Sequence, residues 1–293
     1  MGSPELDPKK FDDFLLAALR EDIGPGDVTC EAVLPPAVRG EGALVCKQEG
    51  VVAGLPLARR VFELLDPEVR VESHVEDGSL VREGQRLITV TGKARTILQG
   101  ERTALNLLQH LSGIATFTRQ FVERLKGTKA NVYDTRKTLP GMRVLQKYAV
   151  AVGGGKNHRM GLHDMILLKE NHFAAADDGS GASYREVVRR AIENAPPGVR
   201  VQAEARTLDE ALQALQAGAD LIMLDNLKPP QLASAVRAIR DAPGGSRVQL
   251  EASGGVRLET VRAFAEAGVD RISVGGLTHS VPALDIALYF RRL

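Results

Sequence analysis

The chain has 293 residues, of which 44% are hydrophobic and 26% are charged, a composition typical of a globular protein with one or two domains. Thirty-eight Lys and Arg residues nearly balance 37 Asp and Glu residues, and the resulting net charge of +1 excludes the strong positive charge of a nucleic-acid-binding protein. Two cysteines, Cys30 and Cys46, are too few for a disulfide framework and fit no metal-site spacing, so both are expected to be small core residues.

The first 22 residues are acidic and helical in pattern, whereas a secretory signal has a basic segment followed by an apolar one. Leu6 stands where a myristoylation motif has Ser or Thr. No run approaches the 18 or more apolar residues of a membrane span. From these features we expect a cytoplasmic protein with no membrane or nucleic-acid partner.

The first hundred residues alternate in type and predict a mixed α/β domain. A helix is predicted over 11–21, a strand over 42–47 and a helix over 57–65, followed by short strands separated by Asp77-Gly78 and Glu83-Gly84 turns. The period of two favours antiparallel pairing. Carrier domains that present a lysine on a hairpin share such turns, but no Lys lies between Leu57 and Thr91.

A long amphipathic helix is predicted over 100–126, with apolar residues at helical spacing. Those positions are Ala104, Leu107, Leu108, Leu111, Ile114 and Ala115. Gly113, in the middle of this segment, is expected to mark a break in the helix.

After this helix the sequence pattern repeats units of one buried strand followed by one helix, which predicts a barrel or an open parallel sheet. Glu204, Asp225, Ser253 and Gly275 end or directly follow four of these strands, at steps of 21, 28 and 22 residues. In such folds the active site lies at the carboxyl ends of the strands, so these four residues are expected to converge.

The segment 134–172 has seven Lys or Arg and three Asp or Glu residues, a charge of +4, and three of the six histidines. Its basic residues are interleaved with glycine and turn residues rather than spaced along one helix face, and GGGKNHR allows close approach of the backbone to a ligand. The segment therefore predicts a site for a small polyanion. A solvated surface is the simpler alternative.

Zinc and serine-hydrolase chemistry are disfavoured by spacing. His158, His163 and His172 are five and nine residues apart, without the i, i+4 placement of a helical zinc motif and without a nearby cysteine. No nucleophile-elbow sequence supports a catalytic serine.

Two glycine motifs, EASGGV and SVGGL, follow predicted strands near the C-terminus. Glycine-loop amides and the start of a following helix form anion sites, and barrels often bind phosphate at their last two loops. Glu204 and Asp225 suit Mg²⁺ or sugar hydroxyls. Glu251 either joins these carboxylates or faces the barrel interior.

Several long motifs occur in an order that resembles the quinolinate phosphoribosyltransferase family. They are GERTALNLLQHLSGIAT, DTRKTLPGMR, KYAVAVGGGKNHRMGLHDMILLKENH, LIMLDN, EASGG and GVDRISVGGLTHS. The resemblance implies an open, incomplete α/β barrel over 113–276, and an N-terminal α/β sandwich over 1–112 that the segment 277–293 joins. It further implies a homodimer, or a higher oligomer of dimers, in which Arg102 of the GERT motif reaches the neighbouring site.

The resemblance implies phosphoribosyl transfer from phosphoribosyl pyrophosphate to the ring nitrogen of quinolinate, with decarboxylation and with Mg²⁺, in de novo NAD biosynthesis. The residues it implies for the carboxylates and nearby phosphates are Thr135, Arg136, Lys137, His158, Arg159 and Lys169. Lys137, Glu204 and Asp225 are the implied catalytic residues, the last two as possible metal ligands through water. The implied phosphate loops are Ser253, Gly254 and Gly255, and Gly275 and Gly276. Many members have Glu-x-Glu in the strand of Glu204. This chain has Gln202 at the first of these positions, which would leave one negative charge fewer near the metal.

The chemistry agrees with the residue types, because quinolinate supplies its own nucleophile and needs no serine, cysteine or strong base. Three alternatives stay open. They are a related phosphoribosyltransferase that acts without decarboxylation, a non-catalytic barrel that binds an anionic metabolite, and a metal-dependent aldolase or lyase that uses Lys169.

Overall fold

The computed structural model describes residues 4–176 and 183–293. The described residues form two compact units. The first consists of residues up to Arg119 with Leu145–Gly154 and Ser280–Leu293, and the second of Gln120–Val144 and Gly155–His279. The first unit thus includes residues 145–154, which lie in sequence inside the predicted barrel domain.

The first unit combines helices with two antiparallel sheets. It begins with a 3₁₀ helix, Pro8–Phe11, and its later elements are α1 (Asp12–Ile23), α2 (Val28–Val33), β1 (Arg39–Cys46), β2 (Gly50–Val51), α3 (Leu55–Leu65), β3 (Arg70–Ser73), β4 (Leu80–Val81), β5 (Arg86–Lys93), α4 (Ala94–Arg124), α5 (Arg143–Val152) and β12 (Ile286–Arg292). The predicted antiparallel pairing is confirmed. Cys30 and Cys46 are both buried and free, as expected.

The larger sheet of this unit has the strand order β12-β1-β5-β3. The C-terminal strand β12 pairs antiparallel with β1 over seven residue pairs, from Gly40 with Arg292 to Cys46 with Ile286. The strand thus returns from the far end of the sequence and forms one edge of the first sheet.

The second unit contains six strands and the helices between them. Its elements are β6 (Asn131–Tyr133), β7 (Ile166–Leu168), α6 (Glu170–Ala176), α7 (Tyr184–Glu193), β8 (Val201–Ala205), α8 (Leu208–Ala217), β9 (Leu221–Asp225), α9 (Pro229–Asp241), β10 (Gln249–Ser253), α10 (Val261–Glu266), β11 (Arg271–Ser273) and α11 (Gly276–His279). The strands form one sheet in the order β6-β11-β10-β9-β8-β7, and every pair is parallel.

The second sheet is open, because over residues 4–176 and 183–293 the outer strand β7 pairs only with β8. The residues of its central strands β8, β9 and β10 are mostly buried, including the polar side chains of Gln202 and Glu251. The predicted fold class, an open α/β barrel with an N-terminal α/β sandwich, is confirmed.

Two helices of the second unit, α7 and α8, begin at capping residues whose side chains bond to the first helical turn. Ser183 caps α7 in a reciprocal capping box with Glu186, and the Thr207 side chain accepts a hydrogen bond from the backbone N–H of Glu210 at the start of α8. These contacts satisfy backbone donors that the first helical turn leaves without partners.

Helix α4 is continuous through Gly113, so the expected break is wrong. The six apolar positions predicted for its buried face are all buried. A Cβ at Gly113 would lie against the carbonyl oxygen of Pro282 and 3.1 Å from the Cα of Ala283. Gly113 therefore allows another segment of the first unit to approach the helix, and it does not interrupt the helical backbone.

Replacing Gly113 with Ala is expected to lower the free energy of unfolding by about 1–3 kcal/mol, because the added methyl group collides with backbone that cannot rotate away. An ordinary Gly→Ala change inside a helix stabilises by up to about 1 kcal/mol. Urea unfolding followed by circular dichroism measures the difference. Asn106→Ala, at an exposed position of the same helix, is the matched control and should not destabilise. A stabilised Gly113→Ala variant would contradict the close approach.

Candidate active site

The six parallel strands of the second unit end along one edge, and each end carries residues singled out by the sequence. Adjacent parallel strands align their carboxyl ends, as the pairing of Ser253 with Asp225 shows. The residues at or just after these ends are Thr135–Lys137 for β6, Lys169 for β7, Glu204 for β8, Asp225 for β9, Ser253–Gly255 for β10 and Gly275–Gly276 for β11. The fold thus brings together residues that are up to 141 positions apart in the sequence.

The loop after β6 is held by hydrogen bonds that keep Lys137 near the last strand. The backbone N–H of Lys137 donates to Thr135 Oγ1 at 3.0 Å, and Thr278 Oγ1 donates to the Lys137 carbonyl at 2.7 Å. A Cβ at Gly275 would lie 3.0 Å from Lys137 Cδ, so the lysine side chain passes directly over this glycine. The ammonium group therefore belongs to the same loop cluster as the second glycine motif.

Two arginines form the basic part of the edge. Arg159 is only 9% exposed, and its Nη1 donates to the Met165 carbonyl at 2.8 Å. Burial and the positive charge of Arg136 together lower the pKa of Arg159, and Asp164 acts in the opposite direction. Arg136 Nε is buried with no hydrogen-bond partner among the residues that the structure describes. Two neighbouring guanidinium groups, one with an unsatisfied donor, form a site that favours an anion.

His158 directly precedes Arg159 in the chain, and hydrogen bonds hold its backbone and its ring. Its backbone N–H donates to Asp134 Oδ1 at 2.7 Å, and its Nδ1 accepts the backbone N–H of Arg159 at 2.8 Å. Nε2 lies 3.4 Å from Glu251 Oε1, a contact longer than a well-formed hydrogen bond. The ring therefore lies in the sheet interior, 7% exposed, between Glu251 and the backbone of Arg159.

The two predicted acidic residues lie at the ends of neighbouring strands. Lys169 Nζ is 3.7 Å from Glu204 Oε2, and the Glu204 carbonyl accepts a hydrogen bond from the Tyr184 hydroxyl at 2.7 Å. Asp225 Oδ2 accepts a hydrogen bond from Asn226 Nδ2 at 2.6 Å. The pair of carboxylates gives this part of the edge a negative charge opposite in sign to the arginine pair.

The loop after β10 depends on glycine. Gly254 and Gly255 have φ values of +94° and +62°, in the region that only glycine adopts at little cost. A Cβ at Gly254 would also lie 2.8 Å from Asn226 Cγ and 3.0 Å from its backbone nitrogen. The loop therefore packs closely on the residue after Asp225, and its backbone amides lie beside the acidic pair.

Tyr184, Asn226 and Thr278 support the site but are missed by sequence reasoning. Asn226 offers the clearest signal, since it follows a strand end and Asn tolerates the left-handed conformation it adopts, with φ of +58°. Tyr184 and Thr278 give no comparable signal, because their hydroxyl groups bond to carbonyl groups of distant segments.

Glu251 and Gln202 face the interior of the sheet and not its edge. Both are fully buried, and Gln202 Nε2 donates to Glu251 Oε2 at 3.0 Å. Of the two roles left open for Glu251, the structure therefore shows the interior one. Gln202 is thus a hydrogen-bond donor to Glu251 in the interior.

Arg102 belongs to the first unit, where it is exposed on α4. The remaining predicted site residues all belong to the second unit.

No group of three or more His, Cys, Asp or Glu side chains within 4–176 and 183–293 is arranged to hold a metal ion. Glu204 and Asp225 remain as two carboxylates on adjacent strands. Separately, none of the helices in the described part of the chain is long and apolar enough to cross a membrane.

Comparison with known proteins agrees with this architecture across almost the whole chain. The family models for the N-terminal and C-terminal domains of quinolinate phosphoribosyl transferase match residues 27–112 and 114–289. The chain is 42% identical to the probable nicotinate-nucleotide pyrophosphorylase [carboxylating] of Bacillus subtilis, over 92% of this chain and 89% of that protein. It is 44% identical to the nicotinate-nucleotide pyrophosphorylase [carboxylating] of Mycobacterium leprae, over 94% and 95% of the two chains.

Solved structures extend the similarity to three dimensions. The crystal structure of NadC from Streptococcus pyogenes has a TM-score of 0.92 at 39% identity and covers 99% of this chain and 100% of that one. The human nicotinic acid phosphoribosyltransferase shares only the fold, at 14% identity and a TM-score of 0.60. The two family models, the two bacterial relatives and the bacterial structure agree, and the chain belongs to the quinolinate phosphoribosyltransferase family.

Proposed function

We propose that this chain is a carboxylating nicotinate-nucleotide pyrophosphorylase, a phosphoribosyltransferase of de novo NAD biosynthesis. It converts quinolinate and phosphoribosyl pyrophosphate into nicotinate mononucleotide, pyrophosphate and CO₂. The observation that carries this function is the strand-end edge of the second unit, where an arginine pair, two glycine loops and two carboxylates meet. The printed names of the bacterial relatives support the same reaction.

The arginine pair binds the two carboxylates of quinolinate. Guanidinium groups match carboxylates in bidentate geometry, and the unsatisfied Nε of Arg136 offers a donor for this purpose. Lys169 and the segment around His158 complete this part of the site. Held in this way, the pyridine nitrogen faces the C1′ carbon of the ribose.

The glycine loops and Lys137 bind the phosphates. Ser253–Gly255 and Gly275–Gly276 present backbone amides at two adjacent strand ends, where no Cβ blocks the approach of a phosphate. Lys137 passes over Gly275 and places a positive charge next to the departing pyrophosphate. The first step therefore depends on positioning and charge stabilisation rather than on a protein nucleophile.

Mg²⁺ fits the acidic pair. Proteins usually bind this ion through one or two carboxylates together with substrate phosphates and water, and Glu204 and Asp225 supply two carboxylates without a third. These two residues would hold the ion, directly or through water. When bound, the ion offsets the negative charge of the pyrophosphate leaving group.

Decarboxylation follows from alkylation of the ring nitrogen. The positively charged pyridinium accepts the electron pair of the bond to the adjacent carboxylate, CO₂ leaves, and the ring carbon then takes a proton. A pocket less polar than water favours this loss because it raises the energy of the carboxylate more than that of the less charged product.

We also propose that the enzyme is a cytoplasmic homodimer, or an oligomer of such dimers, in which Arg102 completes the neighbouring subunit's site. Arg102, the arginine of the GERT motif, is exposed on α4 and is therefore available to a neighbouring subunit. The two cysteines are buried and unpaired, which suits a reducing compartment such as the cytoplasm.

The purified protein is expected to release pyrophosphate and CO₂ in equal amounts from phosphoribosyl pyrophosphate and quinolinate labelled in the carboxylate next to the ring nitrogen. EDTA should abolish both, and added Mg²⁺ should restore them. Pyrophosphate without CO₂ would indicate the non-decarboxylating reaction. Ligand binding without either product would indicate a sensor, and carbonyl products with a borohydride-trapped Lys169 would indicate a lyase.

Arg136→Ala is expected to raise the KM for quinolinate about ten- to a hundredfold, because a hydrogen bond to a charged group contributes about 1.5–3 kcal/mol. The KM for phosphoribosyl pyrophosphate should change much less. Arg237→Ala removes an exposed arginine on α9 and serves as the matched control. Steady-state kinetics on variants with unchanged melting temperature measure the effect, and a near-native KM for quinolinate would remove Arg136 from the site.

Arg102→Ala and Lys137→Ala are each expected to be inactive as homodimers and active when mixed. A mixed dimer contains one site in which both residues are intact, so about a quarter of the activity per dimer should return after random exchange of subunits. The mixture is assayed after unfolding and refolding together, with separately refolded proteins as the reference. Activity that never rises above the reference would place Arg102 in its own subunit's site or outside it.

A further inference from the structure

Arg143, the first residue of α5, lies between the two loops that carry the arginine pair. Its Nε donates to Thr138 Oγ1 at 3.0 Å, and its Nη1 donates to the Met160 carbonyl at 3.2 Å. Met160 directly follows Arg159, and Thr138 comes two residues after Arg136. One guanidinium group thus joins the loop after β6 to the segment that contains Arg159.

A tight turn returns the chain so that Arg143 can reach the loop after β6. In the sequence TLPGMR, Pro140 and Gly141 take the two central positions of this turn. The backbone N–H of Met142 closes it on the Leu139 carbonyl at 3.1 Å. Gly141 has a φ of +76°, as the third position of a type II turn requires. The local sequence therefore brings the arginine back beside the loop that precedes it.

Each of the two acceptors is close to one arginine of the pair. The backbone N–H of Thr138 donates to the Arg136 carbonyl at 2.9 Å. On the other side, Met160 is joined to Arg159 by a peptide bond, and its N–H donates to Asp164 Oδ2 at 2.6 Å. A displacement of either acceptor therefore moves the backbone of the arginine beside it.

The two joined loops carry like charges. Burial and, after it, the positive charge of Arg136 lower the pKa of Arg159, so the two guanidinium groups are close enough to repel one another. In the absence of a bound anion this repulsion favours a movement of the loops away from each other. A link between the loops opposes that movement. A site held in its bound geometry binds more tightly, because less ordering is needed on binding.

The acceptors of Arg143 are neutral, which preserves the charge of the site. Its bonds go to a hydroxyl group and a carbonyl group, and within 4–176 and 183–293 no carboxylate forms an ion pair with it. Arg206, in the loop after β8, is by contrast paired with Glu170 at 2.8 Å. An acidic partner would cancel one of the positive charges that favour a dianion. Arg143 therefore joins the loops without neutralising them.

We propose that Arg143 is a positioning residue of the quinolinate site. By joining the two loops it fixes the spacing between the guanidinium groups of Arg136 and Arg159. It acts through the loops and not by contact with the substrate. The identity of the substrate rests on the proposed function, whereas the link between the loops does not.

Hydrogen exchange of the full-length protein, measured by mass spectrometry, tests the link without any activity measurement. In Arg143→Gln and Arg143→Lys, amides of both 135–142 and 156–165 are expected to exchange about tenfold faster than in the wild type, because both loops lose a contact that keeps them closed. Peptides from β10 should be unchanged. Arg247→Gln removes an exposed arginine that precedes β10, and as the matched control it should leave both loops unchanged. Faster exchange in only one loop, or in neither, would overturn the proposal.

Kinetics distinguish positioning from an effect of charge. Lysine keeps the positive charge but has one nitrogen in place of the two that form the link. Arg143→Gln and Arg143→Lys are therefore both expected to raise the KM for quinolinate about tenfold, the scale of one lost hydrogen bond to a charged group, while the KM for phosphoribosyl pyrophosphate stays within about twofold. A near-native KM for quinolinate in Arg143→Lys alone would mean that only the charge matters. A near-native value in both variants would mean that the link does not affect binding, and either result contradicts positioning.

Thr138→Val covers the case in which the Arg143 variants fail to fold. Valine keeps the shape of threonine but accepts no hydrogen bond, so it removes one half of the link. The KM for quinolinate should rise about threefold, as for a single hydrogen bond, and exchange should become faster in both loops. Thr138→Ser keeps the hydroxyl group, and as the matched control it should behave like the wild type. Native exchange and a native KM in Thr138→Val would overturn the proposal.

A double variant shows whether the two residues act together. In an Arg143→Gln background, Thr138→Val should not raise the KM for quinolinate further, because the link is already broken. An equal rise in both backgrounds would mean that Arg143 does not act through Thr138. If the wild type does not use quinolinate at all, the proposed function fails, while hydrogen exchange still decides whether Arg143 joins the loops.

Discussion

Parallel pairing of the six strands is the constraint on which the rest of the second unit depends. Antiparallel strands would divide their ends between two edges, whereas here every carboxyl end lies on the same side. The strand pairing itself therefore brings groups that follow different strands to one edge, and long-range contacts such as the Thr278–Lys137 hydrogen bond hold the loops there. The short loops then need only local features, such as the positive φ values of Gly254 and Gly255, to aim their amides.

Charged side chains lie both at the strand-end edge and in the buried interior of the second unit. At the rim, Arg136 and Arg159 repel one another, and part of this repulsion appears as the lowered pKa of Arg159. Below them, Glu251 and Arg271 form a pair that is almost completely buried. Breaking such a pair is costly because it leaves one uncompensated charge in the interior. The two arginines can thus keep an excess of positive charge that favours an anion, because the charges of the interior pair balance each other.

The sequence predicted the architecture well because its signals are local. Strand-helix periodicity indicated the parallel sheet, and the strand-end residues Glu204 and Asp225 lie where that pattern placed them. Gly113 shows the limit of such local signals. A glycine inside a helix indicates a break unless the segment that packs against it is known, and Pro282, which packs against Gly113, is 169 residues away in the sequence. Gln202 shows the same limit for function. Its partner Glu251 is 49 residues further along the chain, so no local pattern could reveal that its amide serves an interior carboxylate.

The position of β12 has a consequence for how the chain is made. This strand forms an edge of the first sheet, yet the ribosome synthesises it only after the entire second unit. Until then β1 presents an open edge, with backbone groups free to pair with other chains. The larger sheet of the first unit is therefore complete only after β12 is available, whereas the sheet of the second unit contains no strand from beyond residue 273. Strand β1 is therefore made before the second unit but obtains its β12 partner only after it.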